Sequence, residues 1–199
     1  QIETKMYNIV KILNEEDLQY DGLVYVYSQY LVYGIFSLSF MLDHLGWEEY
    51  IPGKHYEPSD SIKRYALWYG DSHFENLQII RQVFNSEENK DGELIKVLLG
   101  TKATVEGISF KRVRHVHIMD PWWNKSRIDQ IIGRAVRFCS HVDLDADEQF
   151  VNIYYHLSVN KEYPKYNTSL ELRMNEISRK KNNIITQFLD IIKSVSIDC

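Results

Sequence analysis

Arg134 and Arg137 stand three residues apart in the run Gln130-Ile-Ile-Gly-Arg-Ala-Val-Arg137, a spacing that on a helix sends both side chains from one face. A guanidinium offers forked donors and stays charged at any working pH, so a converging pair suits a multiply charged phosphate. Gly133 would let another backbone approach closely. Alone, the octapeptide more often marks an ordinary helix with two solvated arginines. The rest of a phosphate site is missing from the sequence. There is no Gly-x-x-x-x-Gly-Lys-Thr/Ser loop to cradle phosphates and no strand ending in an Asp-Glu-x-His metal box. The acidic run Asp145-Ala-Asp-Glu148 follows no strand and reads as a solvated loop.

The elements that must position these arginines follow from periodicity. Gly22-Leu-Val-Tyr-Val-Tyr-Ser28 is continuously apolar, as expected of a strand buried on both faces of a parallel sheet. Residues 33–45 read as a helix ending at Gly46, residues 63–69 as a strand, and Leu77, Ile80, Val83 and Phe84 as one face of a second helix. Further strands are expected at 94–99, 115–119 and 150–157, with a helix over 126–138 capped by Asn124. Strands alternating with helices predict an α/β fold, an open and mostly parallel sheet with helices on both faces. Ligands of such sheets gather at the carboxyl ends of the strands. Past Pro164 the pattern becomes one helix over 170–195, so two units are predicted, residues 1–163 and a C-terminal helical brace over 164–199.

The 199 residues suffice for one core of ordinary size plus an appendage. With 44% hydrophobic and 26% charged residues the composition is globular rather than disordered. No apolar run reaches membrane-spanning length and the start has no signal-peptide centre, so a soluble intracellular protein without membrane partners is expected. Cys139 and Cys199 are too few for a disulfide framework. The formal net charge of −5 argues weakly against nucleic acid, yet residues 111–137 carry seven Lys and Arg against Asp120 and Asp129 alone. A charge run is usually a solvated face.

Three segments in order change that balance. QIIGRAVR resembles motif VI of superfamily 2 helicases, Leu99-Gly-Thr-Lys-Ala-Thr-Val-Glu-Gly-Ile-Ser109 resembles motif V, and Val24-Tyr-Val-Tyr-Ser-Gln-Tyr30 resembles motif IV. His117-Ile-Met-Asp-Pro-Trp-Trp-Asn124 is similar to a segment of Snf2-type ATPases. With the IIGRAVRFCSH run, it is similar above all to nucleoside triphosphatase I and the early transcription factor small subunit of poxviruses and other large cytoplasmic DNA viruses. The resemblance covers nearly the whole chain, the first twenty residues least. It implies the second RecA-like domain of a helicase or translocase, acting in viral transcription in the host cytoplasm and virion.

Carried over by position, the resemblance makes Arg137 the arginine finger, Arg134 its partner at the γ-phosphate, and Gln130 the residue that orients water or touches nucleotide. Gly107, Glu106 and Gly133 would lie beside the nucleotide, and Ser28, Thr101 and Lys102 beside the nucleic-acid backbone. Glu106-Gly107 departs from the glycine-rich turn of Snf2 proteins. ATP and Mg2+ would be shared with an N-terminal RecA-like domain of the same protein, this chain supplying no metal ligand, and the chain alone should not hydrolyse ATP. The polymer would be DNA, with RNA as the alternative. A catalytically silent module that docks nucleic acid or a partner is a second reading, and an unrelated α/β nucleotide-binding protein a third. Trp122 and Trp123 are expected to pack rather than stack on bases. His115, His117, Cys139 and His141 lack zinc spacing, and Cys139 is expected to pack as a small hydrophobe.

Overall fold

A computed structural model describes residues 2–14, 22–59, 61–105, 108–159 and 169–195. The elements are α1 (Ile2–Asn14), β1 (Leu23–Tyr27), a π-helical turn (Leu31–Phe36) running into α2 (Ser37–His44), β2 (Glu48–Glu49), β3 (Arg64–Trp68) and α3 (Phe74–Phe84). They continue with β4 (Val97–Gly100), a 3-10 turn (Lys102–Val105), β5 (Val113–Ile118), α4 (Lys125–Ile132), β6 (Asn152–Tyr155) and α5 (Leu170–Val195). The six strands form one sheet in the order β2-β3-β4-β1-β5-β6, and every neighbouring pair is parallel.

β1 lies between β4 and β5, with Tyr25 level with Leu98 on one side and Val116 on the other. All five of its residues are buried. Because successive side chains leave a strand on opposite faces, Leu23, Tyr25 and Tyr27 join Ile80, Phe84, Phe110, Ile128 and Ile131 under α3 and α4. Val24 and Val26 join Met6, Ile9, Ile35, Leu38 and Leu42 under α1 and α2. Burying each such side chain is worth about 1.5–3 kcal/mol. That explains why this continuously apolar run became a central strand.

Local chemistry corrects several expected boundaries. The strand expected from Leu94 starts at Val97 because the N–H groups of Leu94 and Ile95 donate to Asn89 Oδ1 at 2.9 and 2.8 Å. The helix expected over 126–138 stops at Ile132, where Gly133, Arg134 and Ala135 form turns with N–H bonds back to Asp129, Ile131 and Ile132. α1 had no counterpart in the expected element order; it is amphipathic and seats Met6, Ile9, Val10 and Leu13 in the core. α5 spans the expected residues, but Met174 and Ser178 are its buried positions, whereas Ile184, Ile185, Phe188, Leu189, Ile191 and Ile192 are largely exposed. The expected unit boundary at 163/164 lies outside the described residues. Among the described residues no helix is long and apolar enough to cross a membrane.

Candidate nucleotide and nucleic-acid site

The segment leaving β4 carries the motif V residues, and it is pinned to the centre of the sheet. Thr101 N donates to Trp68 O at 3.0 Å. Thr104 Oγ1 donates to Thr101 O at 2.6 Å and lies 2.5 Å from the hydroxyl of Tyr25, which must then be the donor in that second bond. Burial pushes the Tyr25 phenol well above its ordinary range, so it remains a donor. Gly100 makes this close approach possible, since a Cβ there would meet Thr104 Cγ2 at 2.5 Å and the Tyr25 ring at 2.9 Å. Thr101 is buried and Lys102 exposed, both beside the carboxyl end of β4. Glu106 and Gly107 lie outside the described residues.

At Ile108 and Ser109 the chain is met by both arginines. Arg134 Nη1 donates to Ile108 O at 3.1 Å, and Arg137 Nη1 donates to Ser109 Oγ. Phe110 N returns a bond to Arg134 O at 2.8 Å. The common direction expected from helical spacing therefore arises otherwise. The arginines lie beyond the end of α4, and the irregular segment before β5 draws them together. Arg134 is half-buried, with Nε enclosed and without a hydrogen-bond partner, while Arg137 is exposed. Gln130 is exposed on the last turn of α4. A Cβ at Gly133 would meet nothing within 4 Å except the carbonyls of Asp129 and Gln130. No distant backbone presses on the half-buried Gly133.

Two ends of the sheet are thus distinguished. Asn124 caps α4 at the carboxyl end of β5, its side chain accepting from Ser126 N at 3.0 Å. The chain after α4 returns to the amino end, where Arg112 N, just before β5, donates to Ser140 O at 2.9 Å. Thr101 and Lys102 thus lie at the carboxyl end of β4, whereas Ile108 and Ser109 meet the arginines near the amino end of β5.

Ser28 is placed differently from the other candidates. Its side chain is fully buried, and its hydroxyl donates to Asp120 Oδ2 at 2.6 Å while accepting from Tyr30 N at 3.1 Å. Gly34 lets the π-helical turn close over it, since a Cβ there would lie 2.1 Å from Ser28 Oγ. In this arrangement Ser28 ties β1 to the end of β5 rather than facing outward. Asp120 itself was not foreseen as a site residue, though its position in the Asp-Pro run after a strand is a visible signal. Burial raises its carboxyl pKa, and the bonds from Ser28 and Gln29 pull it back. Beside it Lys5, buried on α1, donates to Met119 O at 2.9 Å and pairs with Glu171 of α5 at 2.5 Å. Both outer helices are therefore anchored at the carboxyl end of the sheet.

The basic stretch is not one surface. Arg112 and Arg114 are buried, Arg112 against Asp143 and Arg114 against Asp91 and Glu148. Arg127 stacks 4.0 Å over the half-buried Trp122, and Lys125 pairs with Asp129 at 2.9 Å. Trp123 is 40% exposed, and Cys139, expected to pack, is exposed at a positive φ of 63°. Among the described residues no group of three His, Cys, Asp or Glu is arranged to hold a metal. His117 and His156 lie 3.0 Å apart, and burial lowers the pKa of both, His156 to about 4.

Comparison with known proteins gives a family and a fold. Residues 5–139 match the helicase conserved C-terminal domain. A protein of Acanthamoeba polyphaga mimivirus named as an ATP-dependent RNA helicase is 40% identical over 180 residues, covering 90% of this chain and 30% of its own length. The termination factor NPH-I homolog of African swine fever virus is 32% identical over 149 residues, covering 71% of this chain and 21% of its own length. The chain therefore spans less than a third of each of these relatives. The solved structure of the C-terminal part of the Fun30 ATPase domain superposes with a TM-score of 0.60 over 87% of this chain and 44% of that one, at 18% identity, which gives the fold as RecA-like. On the family match and the mimivirus relative together, the chain belongs to the helicase conserved C-terminal domain family.

Proposed function

We propose that this chain is the second RecA-like half of an ATP-dependent nucleic-acid translocase, supplying the arginine side of an ATP site whose phosphate-binding side belongs to an N-terminal half of the same protein. The observation that carries the reading is the convergence of Arg134 and Arg137 on Ile108 and Ser109 at one end of the segment 101–109, while Thr101 and Lys102 mark its other end. One short segment thereby links a candidate nucleotide edge to a candidate nucleic-acid edge. Movement of one edge would be felt at the other.

In this reading Arg137 is the arginine finger and Arg134 holds the γ-phosphate beside it. They neutralise charge that develops on the transferred phosphoryl group, an effect on the order of 10³-fold or more in rate. Gln130 orients water or touches the nucleotide, and Gly133 lies beside it. Glu106 and Gly107 border the same nucleotide. Lys102 meets a backbone phosphate and Thr101 lies beside it. Ser28, being enclosed, would reach nucleic acid only through the turn it holds. ATP binds with Mg2+, whose ligands would come from the N-terminal half. The termination factor name of one viral relative and the RNA helicase name of another are in keeping with a role in viral transcription, and a protein so employed would act in host cytoplasm and virion.

The test is ATP hydrolysis by the chain alone and by the chain joined to its N-terminal half, each with single-stranded DNA, duplex DNA or RNA. The joined protein should hydrolyse ATP and be stimulated by the polymer it tracks. The chain alone should be inactive. Turnover indifferent to every polymer would favour a silent docking module with the same fold.

A further inference from the structure

Phe138 follows Arg137 directly and is 98% exposed, more than any other large hydrophobic side chain among the described residues. Single exposed hydrophobics are common and need no explanation. This one is different in its setting. Val136 and Val142 flank it, 48% and 67% exposed, and the turn that displays all three is fixed from beneath. Ser140 is buried, its carbonyl accepts from Arg112 N at 2.9 Å, and its hydroxyl lies 2.7 Å from His141 Nδ1. His141 Nε2 donates to Val113 O at 2.8 Å. Cys139 takes φ 63°, a conformation that non-glycine residues seldom adopt, and so reverses the chain just after the ring. Anchored at both sides, the turn holds an apolar knob out beside Arg137.

We propose that the turn 136–142 is a docking surface for the protein's own N-terminal half, with Phe138 as its anchor. The inference rests on the split-site reading of Arg137. If Arg137 works on a nucleotide held by the other half, that half must close against this edge, and the residue next to Arg137 is among the first it meets. The relatives extend far beyond the region this chain matches, which leaves ample chain to form the opposing surface. A nucleotide base would cover one face of a single ring, whereas three exposed apolar side chains on one short turn suit a protein surface. The contact would form only in the closed state, so closure and the delivery of Arg137 are coupled through one turn.

The experiment uses the full-length protein with one fluorophore in each half. Closure is read by energy transfer on titrating a non-hydrolysable ATP analogue with Mg2+. Phe138→Ala should raise the analogue concentration for half-closure roughly tenfold, the scale of losing one buried aromatic contact. Phe138→Leu should remain within about threefold of wild type, since an aliphatic side chain of similar reach still docks. The thermal midpoint of either variant should equal that of wild type, because the ring buries nothing within this chain. Closure of Phe138→Ala at the wild-type concentration overturns the proposal. A changed preference between ATP and GTP with unaltered closure also overturns it, assigning the ring to the base. Turnover of Arg137→Ala, measured alongside, judges the split-site reading separately: normal turnover there sinks that reading, whatever Phe138 does.

Discussion

The hydroxyl of Ser28 and the carboxylate of Asp120 are joined at 2.6 Å across the carboxyl ends of β1 and β5, and the same oxygen, Oδ2, also accepts from Gln29 N at 3.0 Å. Both bonds thus converge on one atom. An amide can supply that atom as its carbonyl oxygen without the cost of enclosing a charge. Asp120→Asn should therefore keep stability within about 0.5 kcal/mol of wild type at pH 7, whereas Asp120→Ala, which orphans the buried Ser28 hydroxyl, should lose about 1–3 kcal/mol. Urea unfolding of the two variants checks this. Equal losses would mean that the negative charge, not the acceptor, holds the strand ends together.

The paired imidazoles of His117 and His156 give a pH dependence of definite sign. Burial is the main cause of their lowered pKa values, with His156 at about 4. The folded state therefore resists protons that the unfolded chain accepts below about pH 6.5. Stability due to this pair is complete above that value and is lost as the pH falls from there toward 4. The raised pKa of Asp120 works in the opposite sense at the acid end, so the comparison is between wild type and His156→Gln. The variant should show a shallower fall in denaturation midpoint across this window. Parallel curves would contradict the assignment.

Gly100 should be intolerant of a single methyl group. The added Cβ would collide with Thr104 and the Tyr25 ring, and both are held by the hydrogen-bond chain from Tyr25 to Thr101. Gly100→Ala should cost about 1–3 kcal/mol by overpacking. It should also depress polymer-stimulated ATP turnover by the joined protein, because the segment 101–109 would shift. Tyr25→Phe removes the donor to Thr104 but leaves the volume, and should cost about 1 kcal/mol.

Lys102 is the cation offered for backbone contact. Lys102→Ala should weaken nucleic-acid binding by the joined protein about equally for all sequences, and should flatten the plot of log affinity against log salt by about 0.7–0.9. An unchanged salt slope would remove Lys102 from the contact. Lys111→Ala, near the amino end of β5, should leave the slope as it is.

The architecture was legible because β1 is buried on both faces and the later elements alternate at regular spacing. α1 escaped although Met6, Ile9, Val10 and Leu13 stand at helical spacing, because that spacing does not say which sheet face, built from later residues, they will cover. The motif VI run was legible as a pattern but not as geometry. Helical spacing predicted a shared direction for Arg134 and Arg137, and the structure obtains it after the helix has ended, through Ile108 and Ser109. The charge of the 111–137 stretch misled in the same way. Composition counts Arg112 and Arg114 as surface cations, yet acids distant in sequence, Asp91, Asp143 and Glu148, draw them into the interior. Pairings of that separation leave no trace in local spacing. Ser28 repeats the lesson, since its partner Asp120 lies 92 residues away.

If Arg137 completes an ATP site held mainly by another part of the protein, steady-state ATP hydrolysis of the full-length protein with saturating nucleic acid will reveal it, measured for wild type beside Arg137→Ala together with the affinity of each for a fluorescent ATP analogue. Turnover should fall on the order of 10³-fold, with analogue affinity changed by less than about tenfold. Turnover of Arg137→Ala within about twofold of wild type would contradict that role, because a side chain that meets the developing charge of the transferred phosphoryl group cannot be removed without cost.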